Sequence, residues 1–214
     1  MTRDQDFVLK HSTILTQFTS PDSLHAYSDL EMITNQKLFT ASKINKYVVM
    51  ADKGVGKTTL VKKLLENRKN DVCGFLTKRY PELAKDDMCP VYISGINEDP
   101  VTDDKHLLGT CGGGRHYTNN EVFNELGVEL ITADNKNSLI IMDELGFLEM
   151  NAEKFKEKVF EVLESENPVL IMLKQRLDIE FLKKIKDNPN VEFIRMDVSN
   201  RDEICEYILT ELGI

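Results

Sequence analysis

The sequence has no C-x-x-C pair, no long apolar run and no excess of basic charge, and each absence removes a class of function. Its four cysteines, Cys73, Cys89, Cys111 and Cys205, are scattered, and His11, His25, His106 and His116 do not cluster with them. That spacing offers no zinc motif and predicts free thiols in a reducing compartment. No apolar segment approaches the ~20 residues that a membrane-spanning helix needs. The polar start Met1-Thr2-Arg3-Asp4-Gln5-Asp6 is followed by no apolar h-region. A soluble, cytoplasmic protein with no membrane partner is therefore expected. Acids outnumber bases, 36 to 27, for a formal net charge of −9. A surface of that sign repels phosphate backbones and argues against a general nucleic-acid binder. Internal repeats and low-complexity tracts are also lacking.

What is present suits one compact α/β domain with a short appendage, since 214 residues with 41% hydrophobic content build one proper core. Residues 1–45 lack strong periodicity, and a short helix through Leu24, Tyr27, Leu30 and Ile33 is the most they suggest. They are read as a peripheral extension, with a partner-binding arm as the alternative. From residue 46 to 214 strands alternate with helices. Tyr47-Val48-Val49-Met50 reads as a buried strand, and Leu60, Val61, Leu64 and Leu65 mark one face of a helix after it. Stretches 72–77 and 90–94 read as two strands of a hairpin, and the glycine-rich stretch 95–118 as a mobile loop. Asn119 or Asn120 is expected to cap a helix burying Val122, Phe123, Leu126 and Leu130, against which Gly127 counts. Leu139-Ile140-Ile141-Met142 is a further strand, Asn151 is expected to cap the helix after it, and 168–173 and 191–196 are two more strands. The last helix starts after Ser199-Asn200. Alternation of this kind predicts a mostly parallel sheet covered on both faces.

Two stretches carry chemistry. Ala51-Asp52-Lys53-Gly54-Val55-Gly56-Lys57-Thr58 fits the P-loop pattern with alanine in place of the first glycine. Gly54 and Gly56 allow backbone angles that turn successive amides toward one point, and the helix that follows adds its positive end. Lys57 is expected to reach the β- and γ-phosphates, the Thr58 hydroxyl to ligate Mg²⁺ and Thr59 to bond the α-phosphate. The pattern arises by chance in about 1–2% of chains this long, and its place between a strand and a helix is the context that supports it. Roughly 90 residues further on, the apolar strand ending in Asp143-Glu144 looks like a Walker B motif. Asp143 would hold Mg²⁺ through a water, and Glu144 would polarise the attacking water.

With both motifs placed, the chain resembles the small P-loop nucleoside-triphosphatases called cancer-related nucleoside-triphosphatases. The likeness rests on Gly54-Val55-Gly56-Lys57-Thr58-Thr59-Leu60, Gly74-Phe75-Leu76-Thr77, Asp143-Glu144-Leu145-Gly146-Phe147-Leu148-Glu149-Met150 and Asn200-Arg201-Asp202. It runs from about residue 46 to the C-terminus. The resemblance implies a RecA-like sheet, Mg²⁺-dependent hydrolysis of several nucleoside triphosphates such as ATP and GTP, and Glu144 as the base. It also points to Asn200 and Arg201 as residues near the base or ribose. An arginine and a Gly-Phe pair usual in the second hairpin strand are replaced here by Met88-Cys89-Pro90-Val91-Tyr92-Ile93. Arg115 in the glycine-rich insert is a candidate arginine finger supplied in cis, against a plain flexible loop. Lys174, Gln175 and Arg176 follow the strand at 168–173 and are placed to approach the nucleotide, although a surface turn is the preferred reading. The rival functions are a P-loop nucleoside or nucleotide kinase and a nucleotide-gated regulatory module. The kinase needs an acceptor pocket and usually a lid with several arginines, whereas residues 95–118 contain only Arg115, which favours water as the acceptor. The module's only support is the extension, and Glu144 counts against it.

Overall fold

The computed structural model describes residues 44–67 and 71–213. The extension, with the helix expected in it, lies outside the described residues. No helix among them is long and apolar enough to cross a membrane.

One sheet is built from β1 (Lys46–Ala51), β2 (Val72–Arg79), β3 (Cys89–Gly95), β4 (Leu107–Gly112), β5 (Arg115–Thr118), β6 (Leu139–Leu145), β7 (Val169–Leu173) and β8 (Glu192–Met196). Their spatial order is β5-β4-β3-β2-β6-β7-β1-β8. The run β2-β6-β7-β1-β8 is parallel, and β3, β4 and β5 extend it as an antiparallel wing. Every residue of β1 and β7 is buried, which is why these central strands read as unbroken apolar runs rather than alternations.

Successive strand residues feed two separate apolar layers. Val48, Met50, Ile140 and Met142 join one layer, while Tyr47, Val49 and Ile141 join the other. The second layer is closed by α1 (Lys57–Asn67) through Leu60, Val61 and Leu64, and by α5 (Arg201–Glu211) through Cys205 and Ile208. The first is closed by three helices. One of them, α2, consists of three consecutive turns, Asn120–Val122, Phe123–Gly127 and Val128–Leu130, the middle one π-helical. The others are α3 (Glu153–Glu164) and α4 (Glu180–Lys186), which contribute Phe155, Val159, Val162 and Leu163, and Phe181, Leu182 and Ile185.

The expected hairpin of 72–77 and 90–94 is present as β2 and β3. The stretch 95–118 is not a mobile loop: it holds β4 and β5, a second hairpin whose tip turns through Gly113 and Gly114 at positive φ. The hairpin is glycine-rich and β5 is mostly exposed, so the apolar alternation from which strands are read is lacking. Asn151 does not cap α3. Ala152 stands at that position without a side-chain bond, and the Phe155 amide donates instead to Asn124 Oδ1, 3.1 Å away on α2. A cap supplied from 31 residues upstream leaves no local signal. Gly127, unfavourable by propensity, is there for packing: a β-carbon on it would stand 3.1 Å from the Phe155 ring.

Gly74 fixes how β2 lies against β6. Its φ is +120°, and a β-carbon would fall 1.9 Å from the Ile141 carbonyl oxygen. Gly74→Ala therefore combines a backbone clash with a strained torsion and is expected to cost about 2–4 kcal/mol. Urea unfolding measures this; an unchanged midpoint would show that the two strands yield freely.

Candidate active site

Parallel strands deliver their carboxyl ends to one edge of the sheet, where open α/β folds bind their ligands. Here that edge carries a cleft of about 860 Å³, lined by the P-loop from β1, Lys174-Gln175-Arg176 after β7, Asp143 and Glu144 from β6, and Thr77 and Arg79 from β2. β6 lies two places from β1. At the usual strand spacing the backbones of β6 and β1 stand about 10 Å apart, with the end of β7 between them.

The loop turns through Gly54 at φ +85° and Gly56 at φ +134°, angles that side chains with a β-carbon rarely adopt. α1 begins at Lys57, so the first amides of the helix have no intrahelical acceptor and point at the cleft end. Lys57 Nζ donates to the carbonyls of Ala51 at 2.7 Å and Asp52 at 3.2 Å. It also lies 3.5 Å from Glu144 Oε2.

Glu144 owes its direction to an irregularity. The β6–β7 register passes from Asp143↔Met172 to Leu145↔Leu173, so Glu144 is the extra residue of a bulge, a device that re-aims a side chain. Its amide donates to Thr77 Oγ1 at 3.3 Å. Its second oxygen lies 3.2 Å from Lys174 Nζ, which places the carboxylate between two ammonium groups from two different strands. Lys174 is in turn fixed: its amide donates to Leu145 O at 2.9 Å, and its ammonium sits 5.1 Å from the centre of the Phe147 ring. The His116 ring of β5 also meets that phenyl edge-on, with ring centres 5.1 Å apart. Lys174 is thus part of the site rather than of a surface turn. Its position straight after a buried parallel strand was the signal available.

Set beside known proteins, residues 46–209 match the family model described as NTPase. The chain belongs to the NTPase family. Nucleoside-triphosphatase THEP1 of Thermotoga maritima is 32% identical over 168 residues, covering 78% of this chain and 95% of the relative. The Aquifex aeolicus protein of the same name is 28% identical over 176 residues, 78% and 98% of the two chains. Its crystal structure superposes with a TM-score of 0.60 over 79% of this chain and 99% of that one, at 24% identity. The solution structure of a human cancer-related nucleoside triphosphatase gives 0.58 over 78% and 97%, at 19% identity, a likeness of fold. The P-loop NTPase fold that the resemblance implied is the fold observed.

In this NTPase the residues singled out in the sequence separate into two groups. Asp52, Lys53, Gly54, Gly56, Lys57, Thr58, Thr59, Asp143 and Glu144 all line the cleft. Val55 is buried and faces a smaller adjoining pocket of about 210 Å³, with Gly56, Thr59, Met196, Arg201 and Asp202. Arg201 packs against the loop itself: its Cδ is 3.8 Å from where a β-carbon on Gly56 would stand. Asn200 spends its side chain on the preceding turn, accepting from the Asp197 amide at 2.8 Å and donating to Arg195 O at 3.2 Å. Arg115 is exposed on β5 and is not among the residues lining the cleft.

Among the described residues two carboxylates, Asp143 and Glu149, are buried. Burial, with Glu144 beside it, raises Asp143 to about 6 against the opposing pull of Lys57 and Lys174. It accepts no hydrogen bond from the described residues, a costly condition that a hydrated cation relieves. Among the described residues no cluster of three or more His, Cys, Asp or Glu side chains is placed to hold a metal. A hydroxyl and one carboxylate, Thr58 and Asp143, fit the sparse protein share of a magnesium site whose remaining ligands are phosphate and water.

Glu149, 2% exposed, accepts the Gly146 amide and so closes the turn after Glu144. Burial raises it to about 7, opposed by that same amide. A carboxyl raised in the folded state contributes stability that is full below its unfolded value near 4.5 and is lost as pH rises through 7. Glu149→Gln keeps the acceptor and removes the titration. Between pH 5 and 8 the wild type should therefore lose on the order of 1–3 kcal/mol relative to the variant. Parallel stability curves in urea would contradict this.

Proposed function

We propose that this NTPase hydrolyses nucleoside triphosphates, ATP and GTP among them, to the diphosphate and phosphate in a Mg²⁺-dependent reaction at the P-loop cleft. The observation that carries the proposal is Glu144 held between Lys57 and Lys174, on the side of the cleft opposite the loop amides. The amides of Gly54 to Thr59, with Asp52 and Lys53 at the rim, cradle the phosphates, and the Thr58 hydroxyl and Asp143 would hold Mg²⁺. That ion would neutralise charge on the phosphate oxygens.

The chain's own groups do the rest. Lys57 turns its ammonium from the Ala51 and Asp52 carbonyls to the β- and γ-phosphate oxygens, a charge-assisted contact that strengthens as negative charge shifts to the leaving diphosphate. Glu144, oriented by Thr77 and Lys174, takes a proton from the water that attacks the γ-phosphorus. Thr59 bonds the α-phosphate. Beyond it the small pocket beside Val55 receives the ribose and base, with Arg201 as its polar wall and Asn200 holding the turn that presents Arg201. The amides and lysines supply a focused positive field on a chain of net charge −9. The domain from residue 46 onward carries every group this reaction uses, and residues 1–45 stand outside it.

A positioned base is worth about 10²–10⁴ in rate. Glu144→Gln should therefore lower kcat by that factor while affinity for a non-hydrolysable analogue stays within a few-fold. Phosphate release from the variant at the parental rate would remove Glu144 from the mechanism.

A further inference from the structure

The cleft is longer than hydrolysis needs. In the hydrolytic reading above the γ-phosphoryl group lies between the loop and Glu144, so hydrolysis uses only the part of the cleft over the ends of β1, β7 and β6. The same cleft runs on across β2 and β3, where its lining changes to Thr77, Arg79, Pro81, Ala84, Cys89 and Val91. Two more strand spacings add about 10 Å. A water needs none of that length.

Three features describe what would fill it. The first is position: the nucleophile in phosphoryl transfer enters opposite the leaving oxygen, and with the diphosphate on the loop that side is the one beyond Glu144. The second is polarity. Pro81, Ala84 and Val91 give apolar walls, and Leu83 on the same connection is 44% exposed. The third is hydrogen bonding. Arg79 donates through Nη2 to Cys111 O at 3.1 Å, and a guanidinium has five donors, so others remain for carbonyl oxygens of a ligand. Arg176, the other cleft guanidinium, is occupied by a two-pronged pair with Asp178 at 2.9 Å.

We propose that this far half of the cleft is an acceptor site for a nucleoside, and that the enzyme transfers the γ-phosphoryl group to the nucleoside hydroxyl, with water attacking when the site is empty. The heterocycle lies against Pro81, Ala84 and Val91, its carbonyl oxygens accept from Arg79, and the hydroxyl reaches Glu144. Glu144 takes the hydroxyl proton and the alcohol oxygen forms the new bond to the γ-phosphorus. The bond from that phosphorus to the β–γ bridging oxygen breaks, and the nucleoside diphosphate leaves with its electron pair. The products are a nucleoside monophosphate and a nucleoside diphosphate. The proposal rests on the P-loop and Glu144 reading above.

The test incubates the full-length protein with magnesium and γ-labelled ATP, alone and with adenosine, guanosine, cytidine, uridine or thymidine, and follows label into nucleoside monophosphate and free phosphate. With at least one nucleoside, label should appear in the monophosphate. Ala84→Trp, a filling change on an exposed connection, should lower that transfer by about tenfold or more. Phosphate release without nucleoside should stay within about twofold of the wild type. Arg79→Ala should act the same way. Phosphate release that no nucleoside alters, with no labelled monophosphate, would overturn the acceptor site and leave hydrolysis standing. Equal loss of both reactions in Ala84→Trp would overturn it too. A wild type that releases no phosphate at all would instead remove the hydrolytic reading beneath it.

Discussion

Glu144 meets Lys57 and Lys174 because three strands end side by side and the middle one carries a cation at its first loop position. β1 supplies one ammonium through the P-loop, β7 supplies the other directly after Leu173, and the bulge in β6 turns the carboxylate between them. Much of the nearby architecture serves that meeting. Gly74 lets β2 approach β6 closely enough for Thr77 to hold the Glu144 amide. Glu149 closes the turn that follows, and the Phe147 ring contacts both the Lys174 ammonium and the His116 ring.

The parts of this arrangement written in contiguous residues were legible in the sequence. Tyr47 to Leu65 reads as strand, loop and helix because buried parallel strands are uniformly apolar and the glycines of the loop have no other use at that spacing. The strand before Asp143 was legible for the same reason. What escaped depended on partners far along the chain. Lys174 looks like a solvated turn until β7 is known to lie between β1 and β6. The α3 cap is an asparagine on another helix, and the 107–118 hairpin hides in a polar, glycine-rich stretch because its outer strand, β5, is the edge of the sheet and mostly exposed.

The same edge explains how an acidic protein of this family manages a polyanion. The cleft lining carries five Lys and Arg side chains against three Asp and Glu, and Lys57 and Lys174 both reach Glu144, one of the two acids to which the proposed reaction gives a role. Past those acids the lining mixes Thr77 and Arg79 with Pro81, Ala84, Cys89 and Val91. In the two reactions proposed above, hydrolysis and transfer differ only in what occupies that part of the cleft.

The central claim is that loop amides and the Lys57 ammonium gather on a polyphosphate. Titration calorimetry with magnesium and a non-hydrolysable ATP analogue tests it most directly, comparing the wild type with Lys57→Ala. Charge-assisted bonds of about 1.5–3 kcal/mol each predict saturable heat in the wild type and an affinity about 10- to 100-fold weaker in the variant. No heat in the wild type, or equal affinity in the two proteins, would contradict the account.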